Sequence, residues 1–182
     1  MKTKERSVYR RGAEDGLLLG PLMALTVVLL GATPFVWWMF YPALVAVISV
    51  PVVAYRLLYR GLKEDLPGSG LSATWMHGLM MYLCGGLLMA LVVYVLLQWV
   101  YPGYYRDVVA VALDVLRHSN TAQGSDLLTA FEKMHAEGLY PASADVVKEL
   151  LYFVAFTGSV FSLIVSPIVR WHFHRNPPTA TH

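Results

Sequence analysis

Between Asp15 and Arg56 the chain runs 40 residues without an Asp, Glu, Lys or Arg; a second uncharged stretch of 40 covers Leu66–Tyr105, and a third of 20 covers Leu150–Val169. Few constraints on a fold are stronger. About 20 apolar residues cross the hydrocarbon core of a bilayer. Within lipid the backbone has to satisfy its own hydrogen bonds, so such stretches must be helical. The composition agrees: 57% of residues are hydrophobic and 14% are charged, against about 25% charged in soluble domains. The sequence therefore predicts an all-α integral membrane protein.

The first uncharged stretch must hold two helices, because a single 40-residue helix would be about 60 Å long. The break falls at "GATP" (Gly31–Pro34), where proline disfavours helix in the residue before it. The expected spans are about 12–32, 35–59, 74–101 and 144–171, with kinks at Pro42 and Pro51. The first is read as an uncleaved helix because its apolar run is too long for a secretory leader and Glu14 and Asp15 precede it. All 182 residues form one domain: an antiparallel bundle of four transmembrane helices. Segment 102–142 makes a crossover between the third and fourth spans. "RDVVAVALDVLRH" (Arg106–His118) has Val109, Leu113 and Leu116 on one stripe, and "SDLLTAFEKMHAEG" (Ser125–Gly138) has Leu127, Phe131 and Met134, so both are expected as amphipathic helices. Gly138 is a stop signal, and Ser143 is expected as the N-cap of the last span.

Basic residues set the orientation. With four spans, one side holds Lys2, Lys4, Arg6, Arg10, Arg11, Arg56, Arg60, Lys63, Arg170 and Arg175. The other holds only Arg106, Arg117, Lys133 and Lys148. Both termini are accordingly expected in the cytoplasm. Trp37, Trp38, Tyr41, Trp99, Tyr101, Tyr104 and Tyr105 form the aromatic belt of the opposite face.

Candidate functional residues are of two kinds. In lipid, small residues let helices approach closely; Gly12, Gly16 and Gly20 lie within about 80° of arc on one helix. The third span offers Gly78 and Gly85, and the fourth Ala155, Ser159, Ser162 and Ser166. These faces serve either packing within the bundle or docking of another protein. The polar candidates are Asp15 and His77. Asp15 and Glu14 are expected in the first turn of their helix, near the positive end of its dipole and four residues after Arg11 and Arg10. They read as interfacial, and His77 reads as a wetted hydrogen-bonding residue one turn inside. His172, His174 and His182 near the C-terminus lack the ligand count of a metal site. His118 and His135 read as solvated surface. No metal-ligand motif, Gly-rich phosphate loop, nucleophile elbow or nucleic-acid surface is present. The single Cys84 cannot close an internal disulfide. No cofactor is expected.

A basic arm leading into "GLLLG", then "AYRLLYRG", "PGSGLS" and "WMHGLMMYLCGGLLMALVVYVLLQWVYP" followed by an amphipathic segment and a last span, is similar to the small four-helix membrane proteins grouped as domain of unknown function 4199, found mostly in Bacteroidota. The chain departs from that family where relatives open the third span with Gln-Ala, reading "ATWMHG" instead. The resemblance carries no activity and no catalytic residue. It implies a multi-pass protein of the inner membrane in a Gram-negative cell, with segment 102–142 periplasmic and a role in the envelope. The expected function is a non-enzymatic scaffold or accessory subunit. Its expected partners are membrane lipid and either an envelope-biogenesis membrane protein or a second copy of itself, with no nucleic acid. A transporter or channel built from Thr26, Thr33, Ser49, Thr157, Ser159 and Ser162 is the alternative, followed by an enzyme acting on a lipid-linked substrate.

Overall fold

A computed structural model describes residues 7–64, 70–118 and 122–175. The basic residues at positions 2, 4 and 6, most of the Gly/Ser turn and His182 lie outside that range, as does the side chain of His174. The described residues form helices and turns without strands. They make α1 (Val8–Ala32), α2 (Phe40–Glu64), α3 (Leu71–Val95), α4 (Tyr104–His118), α5 (Ala122–Glu137) and α6 (Ser143–Arg175). A 3₁₀ turn, Trp37–Met39, leads into α2, and a π-helical turn, Leu96–Val100, continues α3. Four helical stretches are long and apolar enough to cross a membrane: Val8–Ala32, Trp37–Glu64, Leu71–Val100 and Ser143–Phe173. The chain is thus all-α and marked as a multi-pass membrane protein.

The helix ends follow local chemistry. Ser7 caps α1 by accepting the Arg10 amide (3.3 Å), so α1 starts at Val8, one turn before the expected Gly12. Asp15 is consequently two turns inside the helix rather than in its first turn. At the other end Thr33 donates its hydroxyl to the Leu30 carbonyl (2.7 Å) ahead of Pro34. The 3₁₀ turn displaces α2 five residues towards the C-terminus of the expected 35–59. Pro42 then falls in the first turn of α2, where a missing N–H is tolerated, and Pro51 lies in its interior. Gly138 ends α5 with φ of 64°, the left-handed conformation that glycine adopts without steric cost. Ser143 is the first helical residue of α6, with Asp145 in the first turn.

Helix α3 lies between α1 and α6, and α2 packs on α1 and α6. The contact between α1 and α3 is backbone against backbone. A methyl added at Gly12 would lie 2.8 Å from the His77 carbonyl, one at Gly16 2.6 Å from the Met81 carbonyl, and one at Gly85 3.1 Å from the Gly16 carbonyl. No side chain fits there. Gly20 faces Leu88. On the other side of α3, Gly78 meets Ser162, Gly86 meets Val154, and Gly158 receives the Tyr82 ring. Ser162 and Ser166 are buried, whereas Ala155 and Ser159 are half-buried beside this seam. Around the glycines, Leu19, Leu58, Met81, Met89 and Val169 form a core from all four long helices.

The segment after α3 is a helical hairpin. Val109 and Leu113 of α4 are buried, α5 packs on α4, and Arg117 bridges to Glu132 (3.1 Å). Leu116 is half-buried, as are Phe131 and Met134 of α5, while Leu127 is exposed.

Two glycines test this packing. Leucine at Gly16 or at Gly158 must push a helix away from α3, and overpacking of this kind costs about 1–3 kcal/mol or more. Thermal unfolding of each variant in mild detergent should show a clear loss of stability. Gly103→Ala, whose methyl meets only ordinary contacts at 3.6 Å, should unfold with the parent protein.

Candidate functional site

Helical spacing assembles the polar site near the α2–α3 end. Arg11 and Asp15 are four residues apart on α1, Arg60 and Glu64 four apart on α2, and each pair shares a helix face. α3 contributes His77. The Asp15 carboxylate is the centre. Its Oδ2 accepts from Arg11 Nε (3.1 Å) and from His77 Nε2 (3.0 Å), and its Oδ1 from Arg60 Nη2 (3.3 Å). Arg11 also donates through Nη2 to Glu64 Oε2 (3.1 Å). An ionised carboxylate only accepts, so His77 carries its proton on Nε2. Two guanidinium groups and two carboxylates thus surround the imidazole.

Burial sorts these residues into two layers. The side chains of Asp15 and His77 are 1% exposed and that of Arg11 5%, while Arg60 and Glu64 are about half exposed at 48% and 52%. Arg60 and Glu64 therefore close the cluster from its wet side. A glycine makes the arrangement possible: a methyl at Gly61 would collide with the His77 ring. His77 is thus buried rather than wetted, and Asp15 is buried with it. The close approach of α1 to α3 draws both inside, where each serves as the other's hydrogen-bond partner.

The remaining candidates separate from this cluster. Among the described residues no group of three or more His, Cys, Asp or Glu is arranged to hold a metal ion. His118 and His135 are exposed; His118 is bonded to the Asp114 carbonyl and His135 to the Tyr140 hydroxyl. His172 pairs with the Tyr55 hydroxyl (2.8 Å) and packs on the Tyr59 ring. Cys84 is half-buried against the Gly16 position. The hydroxyls of Thr26, Thr33, Ser49, Thr157 and Ser166 each donate to a carbonyl one turn earlier on their own chain. Ser162 Oγ is buried against Gly78 with no hydrogen-bond partner.

The opposite end of the helices is aromatic and apolar. Tyr104 donates to the Gly31 carbonyl (2.9 Å), fastening α4 to the end of α1, and its ring meets those of Phe35 and Tyr101. The Tyr101 hydroxyl donates to Asp107, which raises the phenol pKa and holds the Asp107 carboxyl below its ordinary value. Beneath these tyrosines lies a cavity of about 580 Å³. It is bounded by α1, the chain after it, the π-turn of α3, and the starts of α4 and α6.

Sequence reasoning missed Arg60, Glu64, Gly61 and Gly158. The first pair has a signal in the sequence, an acid and a base four residues apart on one helix face. Neither the curated proteins nor the solved structures contain a match to the chain. The family model for proteins of unknown function DUF4199 matches residues 14–170, from beside Asp15 through to the last turns of α6, and the chain belongs to that family.

Proposed function

We propose that the chain is a non-catalytic membrane subunit, a scaffold or accessory component of an envelope complex. In this reading its four spans form an antiparallel bundle in the inner membrane, both termini face the cytoplasm, and the α4–α5 hairpin is a periplasmic crossover offered to a partner. One observation carries it: the only buried charged side chains among the described residues, Arg11 and Asp15, and the buried His77 are used up in bonds to one another and to Arg60 and Glu64. A catalytic base or nucleophile has to face a cleft that substrate can enter. A conducting path needs polar groups turned to a shared pore, and four of the six candidate hydroxyls, those of Thr26, Thr33, Ser49 and Thr157, instead bond to carbonyls one turn back on their own chain. Charges in lipid are costly unless paired, so a closed cluster of paired charges is what a structural role requires.

The bias of basic residues towards the α2–α3 end supports the orientation. In a Cys84→Ala background, a cysteine at Glu132 should react with an impermeant maleimide added to spheroplasts. One at Arg175 should react only after permeabilisation. Equal labelling of both would overturn the proposed topology.

A structural cluster and a functional one respond differently to its removal. Asp15→Asn leaves the buried Arg11 with only the half-exposed Glu64 as counter-charge, and removing one partner of a buried pair costs about 3–5 kcal/mol. Replacing both partners by apolar residues, Arg11→Met with Asp15→Leu, is expected to regain most of that stability in detergent unfolding, because apolar replacement of a buried ion pair is often neutral. The double variant should also still copurify, in mild detergent from native membranes, with whatever stoichiometric partner the parent protein retains. A stable double variant that lost its partner, or liposome flux by the parent protein abolished in Ser162→Leu, would reject the scaffold reading.

A further inference from the structure

The cavity at the aromatic end is a large feature that the charge cluster does not explain. Its volume of about 580 Å³ falls in the range of small-molecule sites, roughly 300–1,000 Å³. Its walls are apolar: Val27 on α1, Phe35 in the following turn, Val93 and Leu97 on α3 and its π-turn, and Leu150 on α6. A void this size would forfeit packing energy, and water finds too few polar partners among such residues to occupy it stably. The walls include the exposed Val28, Leu30 and Val100, so the space opens to the surroundings of the spans.

Position and chemistry narrow the occupant. The α3 wall runs from Val93 to Val100, where the third span ends, a rise of about 10 Å at 1.5 Å per residue. That is about two-thirds of one leaflet of a 30 Å hydrocarbon core. The tyrosines begin immediately beyond it, at the level where aromatic side chains meet head groups. Two of their hydroxyls are committed, Tyr101 to Asp107 and Tyr104 to Gly31. Tyr105 is half-buried in the cavity wall and has no hydrogen-bond partner among the described residues. Its burial pushes the phenol up to about 12, so the hydroxyl stays protonated and able to donate.

We infer that this cavity is a binding site for one acyl chain of a membrane phospholipid, entering from the leaflet at the α4 end, with the Tyr105 hydroxyl donating to an ester or phosphate oxygen of the head group. The inference needs only the membrane-spanning helices and the start of α4, and is independent of the scaffold reading. Five segments surround the chain there, so a bound lipid exchanges more slowly than one on the outer faces of the helices.

The full-length protein in vesicles of phosphatidylethanolamine and phosphatidylglycerol, doped with a phospholipid carrying a mid-chain diazirine, provides the test. After photolysis, peptides containing Val93–Val100 and Val146–Leu150 should carry several-fold more adduct than the α2 peptide containing the exposed Leu44, Val45 and Ile48. Leu97→Trp fills the cavity and should remove that excess while α2 labelling persists. Tyr105→Phe changes no packing volume, so it keeps the test open if the tryptophan variant misfolds. Loss of one hydrogen bond worth about 1 kcal/mol should weaken retention about fivefold. Labelling no greater than at α2, or an excess untouched in Tyr105→Phe and in folded Leu97→Trp, would overturn the inference. Cavity peptides free of adduct while α2 is labelled would mean that protein covers the site, and would overturn it equally.

Discussion

The backbone contact between α1 and α3 is the constraint on which the other features rest. Gly12, Gly16 and Gly85 remove the side chains that would hold the two helices apart. In a bilayer this matters more than apolar area, because lipid tails solvate leucine as well as a protein interior does. The consequence is electrostatic as well as steric. Once α1 lies against the His77–Gly85 stretch, Asp15 is buried, and its partners must come from its own helix and its neighbours. His77, Arg11 and Arg60 supply them. The glycine seam and the charge cluster are thus one device: the first forces the burial that the second makes tolerable.

That coupling also explains why the polar site is closed. A single carboxylate buried at 1% exposure is a liability unless its lone pairs are filled. Here three donors converge on two oxygens, and a second carboxylate, Glu64, takes the remaining face of Arg11. The α2 pair is half exposed, so solvent screens its outer edge while the inner pair stays dry. Such a cluster pins the registers of α1, α2 and α3 against one another. Sliding any one of them by a turn would strand a charge, a stronger penalty than misaligning leucines.

Much of this architecture was legible in the sequence, and the reasons for the exceptions are specific. Uncharged runs reveal spans because one charge at mid-bilayer is prohibitive, and all four spans followed from that rule. The start of α2 did not: Trp37–Met39 are as apolar as the helix they precede, so hydropathy cannot distinguish a 3₁₀ turn from the helix proper. The end of α2 was misplaced for the opposite reason, since Arg60, Lys63 and Glu64 read as a polar turn although they continue the helix. Gly12, Gly16 and Gly20 could be recognised as a face, but not the backbone they meet. On α6 the small-residue pattern pointed to Ala155, Ser159, Ser162 and Ser166; Ser162 and Ser166 are buried at the seam, whereas Ala155 and Ser159 lie half-buried beside it, and Gly158, four residues before Ser162, takes the Tyr82 ring. Asp15 and His77 were each conspicuous, yet they lie 62 positions apart, and no local pattern joins them.

The two ends of the helices consequently have opposite characters. At the α2–α3 end, polar groups are saturated by one another, and any substitution there acts first on stability. At the α4 end, tyrosines and phenylalanine pack edge to face around a space walled by aliphatic side chains, where a change of occupant breaks no charge pairing. Exchange with the surroundings is inexpensive only at the second end. The π-turn of α3 belongs to the same logic. Its extra residue per turn widens the helix between Leu96 and Tyr101, whose amide bonds back to the Leu96 carbonyl (2.8 Å), and π-turns recur where helices line functional sites. The seam that fixes α1 against α3 at one end therefore leaves the other end free to hold a hydrocarbon chain, and it is there that contact with the membrane can be specific.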